Sequence, residues 1–505
     1  MLAVVILCGA ATPLGAALSP VPVPPENPLS EAKRILGKAL FWEEQLSSDN
    51  SMACGSCHRP AVGGGDPRAG VHPGLDGFEG TADDIHGSPG VRRMNAAGQV
   101  IGDPVFTDAP QVTRRAAPSI YTALWAAEIF WDGRAGPEFR DPLTGEIAIA
   151  AGGALEAQAL LPILDPIEMA HEGRSWAEVA DKLARVQPLA LATDLPHDLA
   201  AAIAAGRGYP QLFEAAFGDP TIDPVRIAFA IASYERTLVP DQTPWDRYDG
   251  GEADALDAEQ ISGLAVFMNS GACRACHLLP LFSNDEFRNT GVRPPQEDPG
   301  RQELTGLSGD RGKFKVPSLR NVGLRPRLMH NGRFTSFARV FDFYTGSGGE
   351  PSFGDNRDPH VAVIDIPQFG RAALIAFLRK GLTDPRVANA EFPFDRPRLR
   401  SEILAGFDPV AGEPLFVLHA AAPNPFYPQT LLSFTLLRPA PVNIRIYAAN
   451  GRLVRGMQLP RSTVGWQAVA WNGSDGEGRP IASGVYLYEI QGGAQRESGR
   501  VTLLR

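Results

Sequence analysis

Apolar positions recur three and four residues apart along 30–41, 176–186, 222–238, 258–267, 336–344 and 369–380, and each stretch predicts a helix with one buried face. Thr335 or Ser336 is placed to cap the helix over 336–344, and Gly346 to stop it. The segment 63–113 has little periodicity and reads as loop. The pattern changes near Asp408. Beyond the Pro-rich stretch 422–428, runs at 431–437, 442–448 and 485–490 predict strands. Asn450-Gly451, between Tyr447 and Leu453, predicts a hairpin turn. The chain therefore reads as a mainly α region followed by a small all-β sandwich of about 80 residues.

Composition narrows this picture. The 505 residues include 53 Gly and 45 Pro, too many turn formers for a coiled coil or a simple helical bundle. A net charge of −10 argues against a nucleic-acid partner. The tail 422–505 departs from that balance, with nine Arg, no Lys and four acids, and reads as a solvated β surface. No apolar run reaches a membrane span. The run 2–11, the small residues Gly15 and Ala17 and the Pro-rich sequence after them read as a secretory leader over 1–19, which implies export to the periplasm or cell surface. The leader lacks a basic n-region.

Chemistry enters through cysteine. Of five Cys, Cys8 lies in the leader; the others form Cys54-Gly55-Ser56-Cys57-His58 and Cys273-Arg274-Ala275-Cys276-His277. C-x-x-C-H is the attachment motif of c-type haem, in which two thiols bond the haem vinyl groups and the adjacent His binds the iron. A thioredoxin-like pair requires no His, and a four-Cys zinc site would have to join pairs far apart in the chain. Two motifs imply two covalently bound haems on Cys54, Cys57, Cys273 and Cys276, with His58 and His277 as metal ligands. Each follows a similar helical ending, Gly37-Lys38-Ala39-Leu40-Phe41 and Gly263-Leu264-Ala265-Val266-Phe267, which suggests a repeated haem domain.

Further stretches accompany the motifs: Leu36 to Phe41, Phe130-Trp131-Asp132-Gly133-Arg134, Gln158 with Pro166-Ile167-Glu168-Met169, Phe314-Lys315-Val316-Pro317-Ser318-Leu319-Arg320-Asn321-Val322, and Met329-His330-Asn331-Gly332-Arg333. With them, residues 30–400 resemble the bacterial di-haem cytochrome c peroxidase family, including its MauG branch. The resemblance implies two cytochrome c-like helical domains, one haem turning over peroxide and the other storing and relaying electrons. It implies that Trp131 lies between the haems and that Gln158 and Glu168 face the peroxidatic one. Glu168 would then be the group that moves a proton between peroxide oxygens. Taken alone, Trp131 reads equally as core and Glu168 as an exposed loop carboxylate. Many members cover the first haem with a distal His just before the stretch matching Arg115-Ala116-Ala117-Pro118-Ser119. None stands there, and His72 and His86 are the upstream substitutes. The expectation is a first haem that is five-coordinate or water-bound without activation.

At the second haem, the position 14 residues after His330, Met in the Met-ligated members, is Tyr344, as in the MauG branch. A phenolate favours oxidised iron and Met reduced iron. Tyr344 also completes an apolar stripe with Phe337, Val340 and Phe341, which suits packing, and Met329 is the alternative ligand. The resemblance further implies a calcium ion between the haems, held by carbonyls of Arg325 and Arg327 and an Asn side chain. The Asn position is Ala116, so one oxygen donor is lost. In the tail, Asn424-Pro425-Phe426-Tyr427-Pro428, Ile446-Tyr447-Ala448-Ala449-Asn450-Gly451-Arg452 and Ala482-Ser483-Gly484-Val485-Tyr486 resemble the Ig-like domain of flagellar hook-capping proteins and the sorting tails of secreted proteins, which implies contact with the cell envelope.

The expected organisation is a leader (1–19), an N-terminal peroxidatic haem domain (20–250), a C-terminal electron-transfer haem domain (251–405), a linker (406–421) and an Ig-like β-sandwich (422–505). The expected activity is reduction of hydrogen peroxide with electrons from a small donor such as a monohaem cytochrome or cupredoxin. The alternative is a non-enzymatic di-haem electron carrier with a surface-attachment tail.

Overall fold

The computed structural model describes residues 17–504 apart from 69, 205, 270–272, 348, 350, 362–363, 405–414, 420, 437–439, 463–464 and 493–494. The expected leader up to residue 16, with Cys8, and residues 406–414 of the expected linker lie outside the described residues. The chain divides into two compact units, 1–400 and 401–505.

The first unit has two main hydrophobic cores. One gathers helix Glu31–Phe41, through Leu36, Ala39 and Leu40, and helix Pro224–Glu235, through Ile227, Ala230 and Ile231. Ser30 caps the first of these helices by accepting from Lys33 N, and Asp223 caps the second by accepting from Arg226 N. They cross so closely that a β-carbon at Gly37 would strike Ala230 O. The other core repeats the device. Helix Ala258–Asn269 crosses helix Arg371–Ala376, and a β-carbon at Gly263 would strike Ala373 O. The glycines of the two matching helical endings thus let two backbones meet. Helix Phe337–Thr345 has Ser336 at its N-cap and Gly346, at φ +67°, at its C-cap.

A second repetition runs deeper. Residues 118–135 and 317–334 follow the same path. In each, Pro-Ser precedes a 3-10 turn, Ala123–Trp125 or Val322–Leu324. An antiparallel bridge, Ile129 to Ala135 or Leu328 to Phe334, then closes a tight turn. The turns match in their left-handed residues, Phe130 (φ +73°) and Gly133 (φ +82°) in one, Met329 (φ +72°) and Gly332 (φ +65°) in the other. Trp131 and His330 occupy equivalent places and meet edge to face at 6.2 Å. Ala116 joins the turns, accepting from Trp131 Nε1 at 2.8 Å and donating to His330 O at 2.7 Å.

Much of this unit is irregular chain, and "mainly α" describes only its regular elements. The segment 63–113, expected to be loop, contains two short paired strands, Pro89–Arg92 and Pro110–Val112. No helix among the described residues is long and apolar enough to cross a membrane.

The second unit is a sandwich of two antiparallel sheets. Four strands lie in the order Leu453–Ser462, Ala440–Ala448, Gly484–Gly492, Gln495–Leu503, and three in the order Gly465–Trp471, Thr430–Leu436, Phe416–Leu418. Phe434, Leu432, Ile444, Ile446, Ile490 and Trp471 fill the space between them. Leu453 pairs with Tyr447 across the Asn450-Gly451 turn, where Gly451 takes φ +82°. The strand Phe416–Leu418 falls within the span expected as linker.

Candidate active site

Residues 54–57 form one helical turn, closed by His58 N donating to Cys54 O at 3.1 Å. A side chain at Gly55 would run into the Trp42 indole. Cys57 and His58 line a cavity of about 530 Å³, and Cys54 joins them on an adjoining space of about 30 Å³. His58 Nδ1 lies 3.0 Å from Gly64 O. A carbonyl can only accept, so Nδ1 carries the proton and Nε2 keeps its lone pair, the state that binds iron. Burial holds the imidazole pKa down and the ring neutral. The second site repeats this geometry. Cys273, Cys276 and His277 line a largely apolar cavity of about 180 Å³. His277 N donates to Cys273 O, and His277 Nδ1 lies 2.9 Å from Phe282 O. Burial pushes the Cys54 thiol up to about 12 and keeps it neutral. Two thiols and a neutral imidazole whose Nδ1 is tied to a backbone carbonyl, together on one cavity wall, fit a covalently attached haem at each place.

Gln158 and Glu168 both line the first cavity. Gln158 lies on helix Ala154–Leu164, and its side-chain amide makes no hydrogen bond among the described residues. Asp165 ends that helix and fixes the turn after it, its Oδ1 accepting from Ile167 N at 2.8 Å and Glu168 N at 3.0 Å. The paired strands of 63–113 brace the same turn. Val91 N donates to Ile167 O at 3.0 Å, Gln111 Nε2 donates to Pro166 O at 2.8 Å, and Gly90 leaves room for Ile167 O. The half-buried Glu168 faces the cavity. Its removal from water, and then Asp165, push its carboxyl up to about 7, with Arg134 opposing.

Trp131 is buried and, among the described residues, is the one that lines both the 530 Å³ and the 180 Å³ cavities. Its neighbour Asp132 pairs with Arg115 at 2.5 Å and Arg134 at 3.1 Å, which holds the turn in place. Tyr344 and Met329 both line the second cavity, Tyr344 along with Phe337, Val340 and Phe341. The apolar stripe and the candidate ligand are therefore one helix face. Burial raises the Tyr344 phenol above its usual value. Neither His72 nor His86 lines the first cavity, whose one described His is His58.

Two residues were missed in the sequence. Glu235 lines the first cavity and the space beside it, with Oε2 unpartnered, and burial pushes its carboxyl up to about 8. It continues the buried positions Ala228, Ile231 and Ala232 at helical spacing, which would have found it. His330 lines the second cavity, stacked on Phe314 at 3.6 Å, and burial lowers its pKa to about 4.

The model of the family described as di-haem cytochrome c peroxidase matches residues 31–254. The methylamine utilization protein MauG of Methylorubrum extorquens is 30% identical over 370 residues, covering 72% of this chain and 82% of that protein. The chain belongs to the di-haem cytochrome c peroxidase and MauG family. It is therefore a haem-dependent oxidoreductase. A second relative of this family, cytochrome-c peroxidase IdrP1 of a Pseudomonas strain, is 29% identical over 72% of this chain and 84% of its own. A solved MauG-like protein associated with microbial copper homeostasis aligns with a TM-score of 0.51 and 25% identity, over 75% of this chain and 97% of that one. The model of the FlgD Ig-like domain matches 428–495 in the C-terminal unit.

Proposed function

We propose that the chain is an exported, MauG-like di-haem c-type peroxidase of the periplasm or cell surface. In this reading 20–250 is the peroxidatic domain, 251–405 the electron-transfer domain and the Ig-like unit an attachment to the cell envelope. The haems are bound covalently through Cys54 and Cys57 and through Cys273 and Cys276. Reduction of one hydrogen peroxide takes two electrons and two protons and releases two waters. A small protein such as a monohaem cytochrome or cupredoxin supplies the electrons.

When bound, each haem would supply an iron that exchanges electrons and can take up peroxide. His58 and His277 offer Nε2 to the two irons. Glu168 takes a proton from one peroxide oxygen and delivers it to the other, and Gln158 orients the molecule through its free amide. Trp131, on both cavity walls, lies on the route between the two sites. Tyr344 closes the second site, with Met329 as the alternative.

The observation that carries this reading is the lining of the first cavity. It holds Glu168 and Gln158 beside His58 and no second His among the described residues, while Met52 and Met169 line the adjoining space. An electron carrier would need a further side-chain ligand there. Absorption spectra of the oxidised holoprotein before and after peroxide test it. A changed haem spectrum, with peroxide consumed when a reduced donor is present, is expected. An unchanged spectrum with two six-coordinate haems would replace it with the carrier.

A further inference from the structure

Between the two cores lies a narrow seam, where Gly65, Ala116 and Ala117 face Arg325 and Arg327 around a space of about 20 Å³. The Arg325 guanidinium enters it. Nη2 donates to Ala117 O at 2.6 Å, while Nη1 is sealed from solvent with no partner. A β-carbon at Gly65 would sit 2.8 Å from Nη1. No carboxylate among the described residues pairs with this guanidinium. Asp66, on the same wall, is bound to Arg68 at 2.7 Å. Arg327 adds a second cation, its Nη1 donating to Gly332 O at 3.1 Å.

The repeated path of 118–135 and 317–334 shows that the backbone does not demand arginine here. The position equivalent to Arg325 in the first copy is Ala126, which continues the same turn without a charge. The guanidinium is an asymmetric feature of one copy, pointed across the seam at the other.

We infer that Arg325 is the permanent cation of this seam and takes the place of the calcium ion that the family resemblance implies there. A calcium site needs six to eight oxygen donors. Here Ala116 offers no side-chain oxygen, the Ala117 carbonyl already accepts from Arg325, and two guanidinium groups would repel a divalent cation. A guanidinium keeps its charge at neutral pH, so the cation is permanent. Arg325 acts as a positioning residue, holding the segment after Val322–Leu324 against Ala117 and so fixing the two haem sites relative to each other. The inference rests on the seam alone and stands whether the first site turns over peroxide or only carries electrons.

The test uses the full-length holoprotein. Metal analysis after dialysis should find no bound calcium, and calorimetric titration to about 1 mM calcium, the weak end of extracellular sites, should give no binding heat. Chelator treatment should leave the absorption spectrum and both haem potentials unchanged. One calcium per chain surviving dialysis, or a spectral shift on chelation that calcium reverses, would overturn the proposal. In an Arg325→Asn protein, which brings a carboxamide into the seam and removes the charge, added calcium should produce binding heat and shift the haem spectrum. If that protein folds and takes up no calcium, Arg325 is not what excludes the ion. If it fails to fold, the wild-type measurements decide alone.

Discussion

Glu168 shows how one side chain gets its chemistry from its surroundings. Drawn out of water beside Asp165, its carboxyl titrates near 7 rather than in the usual carboxylate range. A carboxyl raised this far is protonated in acid and cannot accept a proton. Peroxide turnover should therefore fall as pH drops through about 7. The Glu168→Gln protein should lack that limb and be slower by about 10²-fold, with haem spectra intact. Turnover equal to wild type would make Glu168 a spectator. Glu235, also raised and facing the cavity, is the other carboxyl able to shape this profile, so the same pH series on Glu235→Gln separates them. Tyr344→Phe keeps the ring and removes the oxygen. Electron paramagnetic resonance of the oxidised protein should then show a changed second haem, whereas identical low-spin signals would make Tyr344 a core aromatic and leave the iron to Met329 or another residue. The two Cys-x-x-Cys-His motifs were legible as candidates because haem attachment would require their spacing. Glu168 was legible only through the resemblance of Pro166-Ile167-Glu168-Met169, since burial of a loop carboxylate leaves no periodic mark. Glu235 went unread because a charged residue at a helix end looks solvated.

Among the elements, several with a long buried face were read, although helix Ala154–Leu164, which carries Gln158, was not. Helix Phe337–Thr345 has the cap and stop expected from Ser336 and Gly346, and the hairpin at Asn450-Gly451 has its expected register. Strands of two to four residues were not read, because alternation needs more positions than they contain. That gap matters, since Pro89–Arg92 and Pro110–Val112 brace the Glu168 turn. Gly90 is the point of closest approach. Its backbone is not left-handed, so an added methyl acts only by contact with Ile167 O. Gly90→Ala should displace the turn and lower peroxide turnover by about 10-fold or more, since small misplacements of a reacting group are costly. The second haem's spectrum should stay as it is, because none of its cavity wall comes from this region. Normal turnover in a folded Gly90→Ala protein would show that the strands do not set the position of Glu168.

At the scale of the whole chain, the haem chemistry belongs to one unit. Every residue lining the two candidate haem cavities lies in 1–400, and the C-terminal unit has a hydrophobic core of its own, built on Phe434, Ile444, Ile446 and Trp471. The composition change near Asp408 made this division legible, although the sandwich begins earlier than expected, at Phe416. A unit with its own core and no ligand to give is separable. A chain ending after Phe407 should therefore retain two haems in a pyridine haemochrome assay and reduce peroxide at the full-length rate. What it should lose is retention at the cell surface, measured by fractionating cells that express each form. Loss of haem or of turnover in the shortened protein would mean that the C-terminal unit supports the haem fold, and equal surface retention would remove the attachment role proposed for it.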